Sequence, residues 1–171
     1  MVRRVVTGHD SEGRSMVVSD GMARAYDLGR SGSMLFDIWR TTQTPAPILA
    51  VERDPVDVPL DFEINERGVR IRMLDIASPE PAETPYMHRT ESIDYGLVLE
   101  GEMCMILDKG EVCLKAGDFI IQRGTNHAWT NRSGRRCRML FIMIGGQFSD
   151  EIKDVGEKFS PAALSAFMTK G

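Results

Sequence analysis

His88-Arg89-Thr90-Glu91-Ser92-Ile93-Asp94-Tyr95, then Leu99-Glu100-Gly101, Gly117-Asp118 and Gly124-Thr125-Asn126-His127-Ala128-Trp129 carry most of what this chain says about its architecture. The chain has 3 histidines, and two of them, His88 and His127, lie in this stretch, each beside a β-type segment. Two imidazoles and a carboxylate that converge across paired strands make a divalent-metal site.

Outward from this stretch, strand signals dominate. Met103 to Leu107 and Glu111 to Leu114 flank Asp108-Lys109-Gly110, a hairpin turn signal. Ala116-Gly117-Asp118 is a turn before Phe119 to Gln122, and His127 to Thr130 and Met139 to Ile144 follow. Upstream, Val69 to Ile76 alternates apolar and polar residues, the pattern of a half-buried strand, and Ser33 to Trp39 reads as another. Arg3 to Val6 and Ser15 to Val18 flank a Gly-containing turn and read as an opening hairpin. The proline-rich segments Thr41 to Asp61 and Ser78 to Pro85 read as irregular loops. Short strands separated by glycine turns predict an all-β sandwich or barrel. Ser149 to Phe159 and Pro161 to Met168 read as two short terminal helices, with Ser160 as cap and Pro161 at the first helical position.

Composition narrows the class. A chain of 171 residues, 42% hydrophobic and 27% charged, fits one globular domain with a real core. A formal charge of −4 gives no reason to expect nucleic acid or an anionic membrane surface. No run approaches the roughly 18 apolar residues of a membrane span, and Met1 to Arg30 is broken by charges, so a cytoplasmic location is the expectation. The 3 cysteines, Cys104, Cys113 and Cys137, show no CxxC spacing. All three sit in strand-like segments and are expected to be buried, inert thiols.

These residues resemble the cupin superfamily, small β-barrels of double-stranded β-helix architecture, and in particular small bacterial single-domain members. The family's first motif has the form G(x)5HxH(x)3-4E(x)6G. Anchored on Gly101, it places Asp94 at the acidic position and His88 and Thr90 at the two histidine positions. The second, G(x)5PxG(x)2H(x)3N, maps onto Gly117, Gly124, His127 and Asn131, with one residue fewer between the glycines and no proline. The resemblance implies a single domain over 1–171: N-terminal strands and loop in 1–60, a barrel core in 68–146 holding both motifs, and C-terminal helices in 149–171. It also implies a homodimer, for which the strand-rich N-terminal arm supplies an edge.

Thr90 in place of an imidazole, and Asp94 in place of a glutamate, leave His88, Asp94 and His127. That is the two-histidine, one-carboxylate set associated with non-haem iron when coordination positions stay open. The expectation is a metal-dependent enzyme of oxygenase, decarboxylase or lyase type. It would hold Fe, Mn, Ni or Zn on His88, Asp94 and His127 and act on a small carboxylated or oxygenated substrate. Thr90 or Glu91 would position water or carry a proton. The rival expectation is a sensor or accessory barrel that binds a small ligand without turnover. Arg72, Arg89 and Arg123 are candidates to grip a substrate carboxylate, although each taken singly is expected at the surface. Tyr95 and Trp129 are expected to pack outside the barrel, and Gly124 to allow a turn that a Cβ would obstruct.

Overall fold

Alternation along Val69–Ile76 produces a strand, and its neighbours decide which face turns inward. The structure is a computed structural model that describes residues 1–28, 32–62, 64–77 and 85–155. In chain order its strands are β1 (Arg3–His9), β2 (Ser15–Met22), β3 (Ala25–Asp27), β4 (Met34–Thr41), β5 (Val69–Ile76), β6 (Ser92–Glu100), β7 (Glu102–Leu107), β8 (Gly110–Lys115), β9 (Phe119–Arg123), β10 (His127–Thr130) and β11 (Cys137–Gly145). A six-stranded sheet runs β3-β4-β5-β11-β6-β9 and a three-stranded sheet runs β10-β7-β8, while β1 and β2 form a separate hairpin. Every pairing is antiparallel. The core lies between the two larger sheets: Val98, Cys137, Met139 and Phe141 from one meet Met103 and Leu114 from the other.

Cross-strand partners share a face, so the register gives the interior of the six-stranded sheet row by row. Leu35, Leu74, Met139 and Val98 form an apolar row. Asp37, Arg72, Phe141, Gly96 and Ile120 form the next. Arg40, Arg70, Met143, Asp94 and Gln122 form the third. The barrel is therefore apolar at one end and increasingly polar towards the other. Along β5 the inward face carries Arg70 and Arg72 beside Leu74, and both arginines are buried.

Two glycines show why the motif needs them. Gly101 joins β6 to β7 at φ 78°, where a Cβ would overlap the Arg136 carbonyl. Gly124 has φ 60°, and a Cβ there would lie 2.7 Å from the Phe148 ring and 3.1 Å from the Thr90 carbonyl. Gly101→Ala is expected to cost about 2 kcal/mol or more, combining left-handed strain with a backbone clash. Gly117→Ala, at φ 93° with nothing within 4 Å, carries the strain alone. Urea midpoints that moved equally for both variants would refute the clash.

Two expectations need correction. Cys104 and Cys113 are not inert thiols but a disulfide, because the hairpin turn sets them directly opposite each other on β7 and β8. A search for short CxxC spacing misses a cross-strand pair. Cys137 does behave as expected: it is buried, and burial first, then the Asp75 and Glu100 charges, push its thiol up to about 11. Among the described residues there is no helix. Residues 149–155, the described part of the first expected helix, form a hydrogen-bonded turn with Lys153 N–H donating to the Ser149 carbonyl at 2.9 Å. One turn alone carries the full cost of helix nucleation. The expected second helix, Pro161 to Met168, lies outside the described residues.

Candidate metal centre

His88 and His127 are brought together by the backbone. Each donates its N–H to the other's carbonyl, at 2.9 and 2.8 Å, in an isolated antiparallel bridge at the edge of β10. The ring centroids stand 4.5 Å apart. His88 Nδ1 lies 3.1 Å from the Tyr86 carbonyl, which only accepts, so Nδ1 carries the proton and Nε2 keeps its lone pair. His127 Nδ1 has two neighbours at 2.9 Å, the Thr125 carbonyl and Gln122 Nε2. The Gln122 amide is oriented by its Oε1, which accepts the Gly124 N–H at 2.6 Å. Donation to Thr125 leaves Nε2 of His127 as a ligand lone pair, whereas acceptance from Gln122 puts the proton on Nε2. Backbone carbonyls that hold Nδ1–H are the outer partners a metal-ligating histidine uses.

Asp94 lies on β6 of the six-stranded sheet, whereas His127 lies on β10 of the three-stranded one. Asp94 is opposite Gln122 in the β6–β9 register, 5% exposed, and accepts the Ser92 hydroxyl at 2.6 Å. Burial raises its carboxyl to about 6, against the opposing effect of the Ser92 hydrogen bond. Ser92 Oγ is also 2.9 Å from Thr90 Oγ1, so three oxygens run in series from half-buried Thr90 to the buried carboxylate. Burial pushes His127 down to about 4, with the neighbouring His88 adding to the shift and the Thr125 carbonyl opposing it. His88 is likewise lowered by burial, against the Tyr86 hydrogen bond.

These residues fit a divalent cation in two respects. Two neutral imidazoles are anchored through Nδ1, and no cationic side chain among the described residues pairs with the buried Asp94 carboxylate. The three are not drawn tightly together. Among the described residues the metal-ligand types whose atoms all lie within 4.8 Å of one another are Cys104, Glu111 and Cys113, and the two sulfurs there are bonded to each other.

Residues 74–143 match the Cupin domain family model. The chain is 36% identical over 149 residues to phomopsin biosynthesis cluster protein C' of Diaporthe leptostromiformis, covering 82% of this chain and 77% of that protein. The chain is a cupin. It is also 35% identical over 155 residues to the cupin-domain-containing oxidoreductase fogC of Aspergillus ruber, covering 84% of this chain and 72% of that protein. With virC of Hypocrea virens, of the same description, it shares 31% identity over 153 residues, 82% of this chain and 74% of that one. Among solved structures, the cupin domain of Schizosaccharomyces pombe Cnp3 aligns with a TM-score of 0.51 at 8% identity, covering 92% of this chain and 97% of that one. That likeness concerns the fold alone.

The remaining candidates of this cupin fall into place by strand parity. Tyr95 is outward and 39% exposed, as expected. Trp129 is not: it follows His127 by two residues, shares its face, meets its ring edge-on at 5.8 Å and packs against the core. Arg89 is buried rather than at the surface. Its Nη1 donates to the Ile152 carbonyl at 2.7 Å and its guanidinium lies 3.7 Å from the centroid of the Phe148 ring. Arg72 is also buried, bonded to Asp37 at 2.6 Å. Arg123 and Glu91 are exposed. Sequence reasoning missed Gln122 and Ser92. The signal available for both was parity, since each is two residues along a strand, or one cross-strand step, from a motif position.

Among the described residues no helix is long and apolar enough to cross a membrane.

Proposed function

We propose that this cupin is a metal-dependent oxidoreductase acting on a small carboxylated or oxygenated organic molecule held in the polar end of the barrel. The observation that carries the reading is the imidazole pair, with each Nδ1 facing a backbone carbonyl and both pKa values lowered so that the rings stay neutral. The names of fogC and virC support the reaction class. His88 and His127 would hold the ion, and Asp94 would offset its charge. A bound transition metal supplies Lewis acidity or, as iron, access to dioxygen chemistry.

The chain's own groups do the rest. Val98, Phe141 and Met139 close the apolar end and keep water from it. Ser92 aims its proton at Asp94 Oδ1, and Thr90 extends that hydroxyl line towards the rim, so a proton can pass between a bound ligand and the carboxylate. Glu91, exposed beside this line, is the alternative proton carrier to Thr90.

The test begins with protein purified without a histidine tag. About one divalent transition metal per chain is expected on purification or reconstitution. A thermal-shift screen of 2-oxo acids, 1,3-dicarbonyls and catechols then supplies ligands, since a bound ligand stabilises in proportion to RT ln(1 + [L]/Kd). Hits incubated with metal and dioxygen should be converted, with oxygen consumed only when the ligand is present. Stabilisation without conversion across Fe, Mn, Ni and Zn would favour the non-catalytic ligand-binding barrel instead.

A further inference from the structure

The polar end of the barrel holds a second cluster, on β4 and β5, that the imidazole site does not use. Arg40 Nη1 and Arg70 Nη2 each lie 3.1 Å from Asp61 Oδ2. Arg70 Nη1 donates to the Asp61 carbonyl at 2.6 Å, and Arg72 Nη2 donates to the same carbonyl. Arg72 Nε is occupied by Asp37 at 2.6 Å, and the Phe62 ring lies 5.1 Å from its guanidinium. Among these residues three guanidiniums share two carboxylates. Arg70 is 4% exposed and Arg40 22%, whereas Asp61 is 41% exposed and comes from the loop rather than from a strand. A cavity of about 250 Å3 opens here, lined by Arg40, Thr41, Thr42, Asp61, Asn65 and Arg70 among others.

We infer that the Arg40–Arg70 fork is the carboxylate-binding subsite of this barrel and that Asp61 is its internal competitor, occupying the fork until an incoming carboxylate displaces it. The inference deepens the proposed function, on which it rests for the location of the reacting end. Guanidinium groups fixed on adjacent strands present donors in a geometry that matches a carboxylate, and partial desolvation strengthens each such bond. A half-solvated aspartate on a loop gives up its place at lower cost than a buried strand residue. The Asp61 carbonyl stays bonded to Arg70 and Arg72, which keeps the loop docked while the side chain moves out. Arg70 and Asp94 lie in one interior row with only β11 between them, so their backbones are two strand spacings, about 10 Å, apart. The ligand class is therefore a carboxylic acid with its acid group at the arginine fork, on the same interior row as Asp94.

The experiment uses full-length protein treated with EDTA, so that no carboxylate can bind through a metal, and titrates benzoate against its neutral analogue benzamide at constant ionic strength. Benzoate should bind and benzamide should not. Asp61→Asn keeps the shape but withdraws the competing charge, and should tighten benzoate about tenfold. Arg40→Gln should weaken it about tenfold or more. Equal response to benzoate and benzamide, unchanged affinity in Asp61→Asn, or wild-type binding by a folded Arg40→Gln would each overturn the inference. If Arg40→Gln does not fold, Asp61→Asn decides alone. Metal content measured in the same variants separates the two ideas. Benzoate binding that follows Arg40 and Asp61 in a protein that takes up no metal keeps the subsite and removes the metal reading. Normal metal uptake with no benzoate preference does the reverse.

Discussion

His127→Ala is expected to abolish stoichiometric metal binding, lowering affinity by more than about a hundredfold, since even partners outside the coordination shell cost 10–100-fold when lost. The imidazole is one of the two bases that burial keeps neutral, and the two stand on one backbone bridge. Removing either leaves a single imidazole and a carboxylate, a set that holds a first-row ion poorly. The measurement is competition against a chromophoric chelator, with metal content per chain by elemental analysis. Gln122→Glu supplies a discriminating second variant. A carboxylate beside Nδ1 accepts its proton without competition and favours the ligating tautomer, so affinity should rise, whereas Gln122 as it stands also offers Nδ1 a proton. Full occupancy in the His88→Ala, His127→Ala double variant would end the assignment.

Much of this barrel was legible before any coordinates, and the parts that were not share one physical cause. Turn glycines and alternating runs placed β1, β2, β4, β5 and β7 to β11 within a few residues, because glycine at positive φ and period-two patterning are local properties. Gly101, Gly124 and His127 were found through motif spacing for the same reason. Alternation identifies two faces but does not say which is inside. On β5 the usual assumption inverts: Val69 and Ile71 are half-buried on the outer side while Arg70 and Arg72 are buried within. On β6, Ser92 and Asp94 are buried while Ile93 and Tyr95 are 40% and 39% exposed. A strand that lines the polar end of a barrel reads inside out. Cross-strand neighbours were equally hidden. Cys104 with Cys113, and Arg70 with the loop residue Asp61, meet through register and loop closure, which no short spacing encodes.

Asp94→Asn should stabilise the metal-free protein at neutral pH, and the sign follows from two opposed shifts. Asp94 is raised from 3.8 to about 6 by burial, so the unfolded chain loses this proton first, and folding stability falls as pH rises from the lower value through the higher. A shift of that size is worth about 3 kcal/mol for a carboxylate 5% exposed. His127 is lowered from 6.5 to about 4, so the unfolded chain takes up its proton first, and stability falls as pH drops through the same window by a similar amount, about 3 kcal/mol. The two slopes nearly cancel in the wild type, with lowered His88 adding to the histidine side. In Asp94→Asn only the histidine slope remains. Urea unfolding in EDTA should therefore find the variant up to about 3 kcal/mol more stable than wild type at pH 7.5, about 1 kcal/mol more stable at pH 4.5, and close to it only below the unfolded value of 3.8. Saturating metal should reverse the order at pH 7.5, because only the wild type then has a cation to offset its carboxylate. A variant less stable than wild type at pH 7.5 in EDTA would mean that Asp94 carries no burial cost, and the case for a cation beside it would fall with that result.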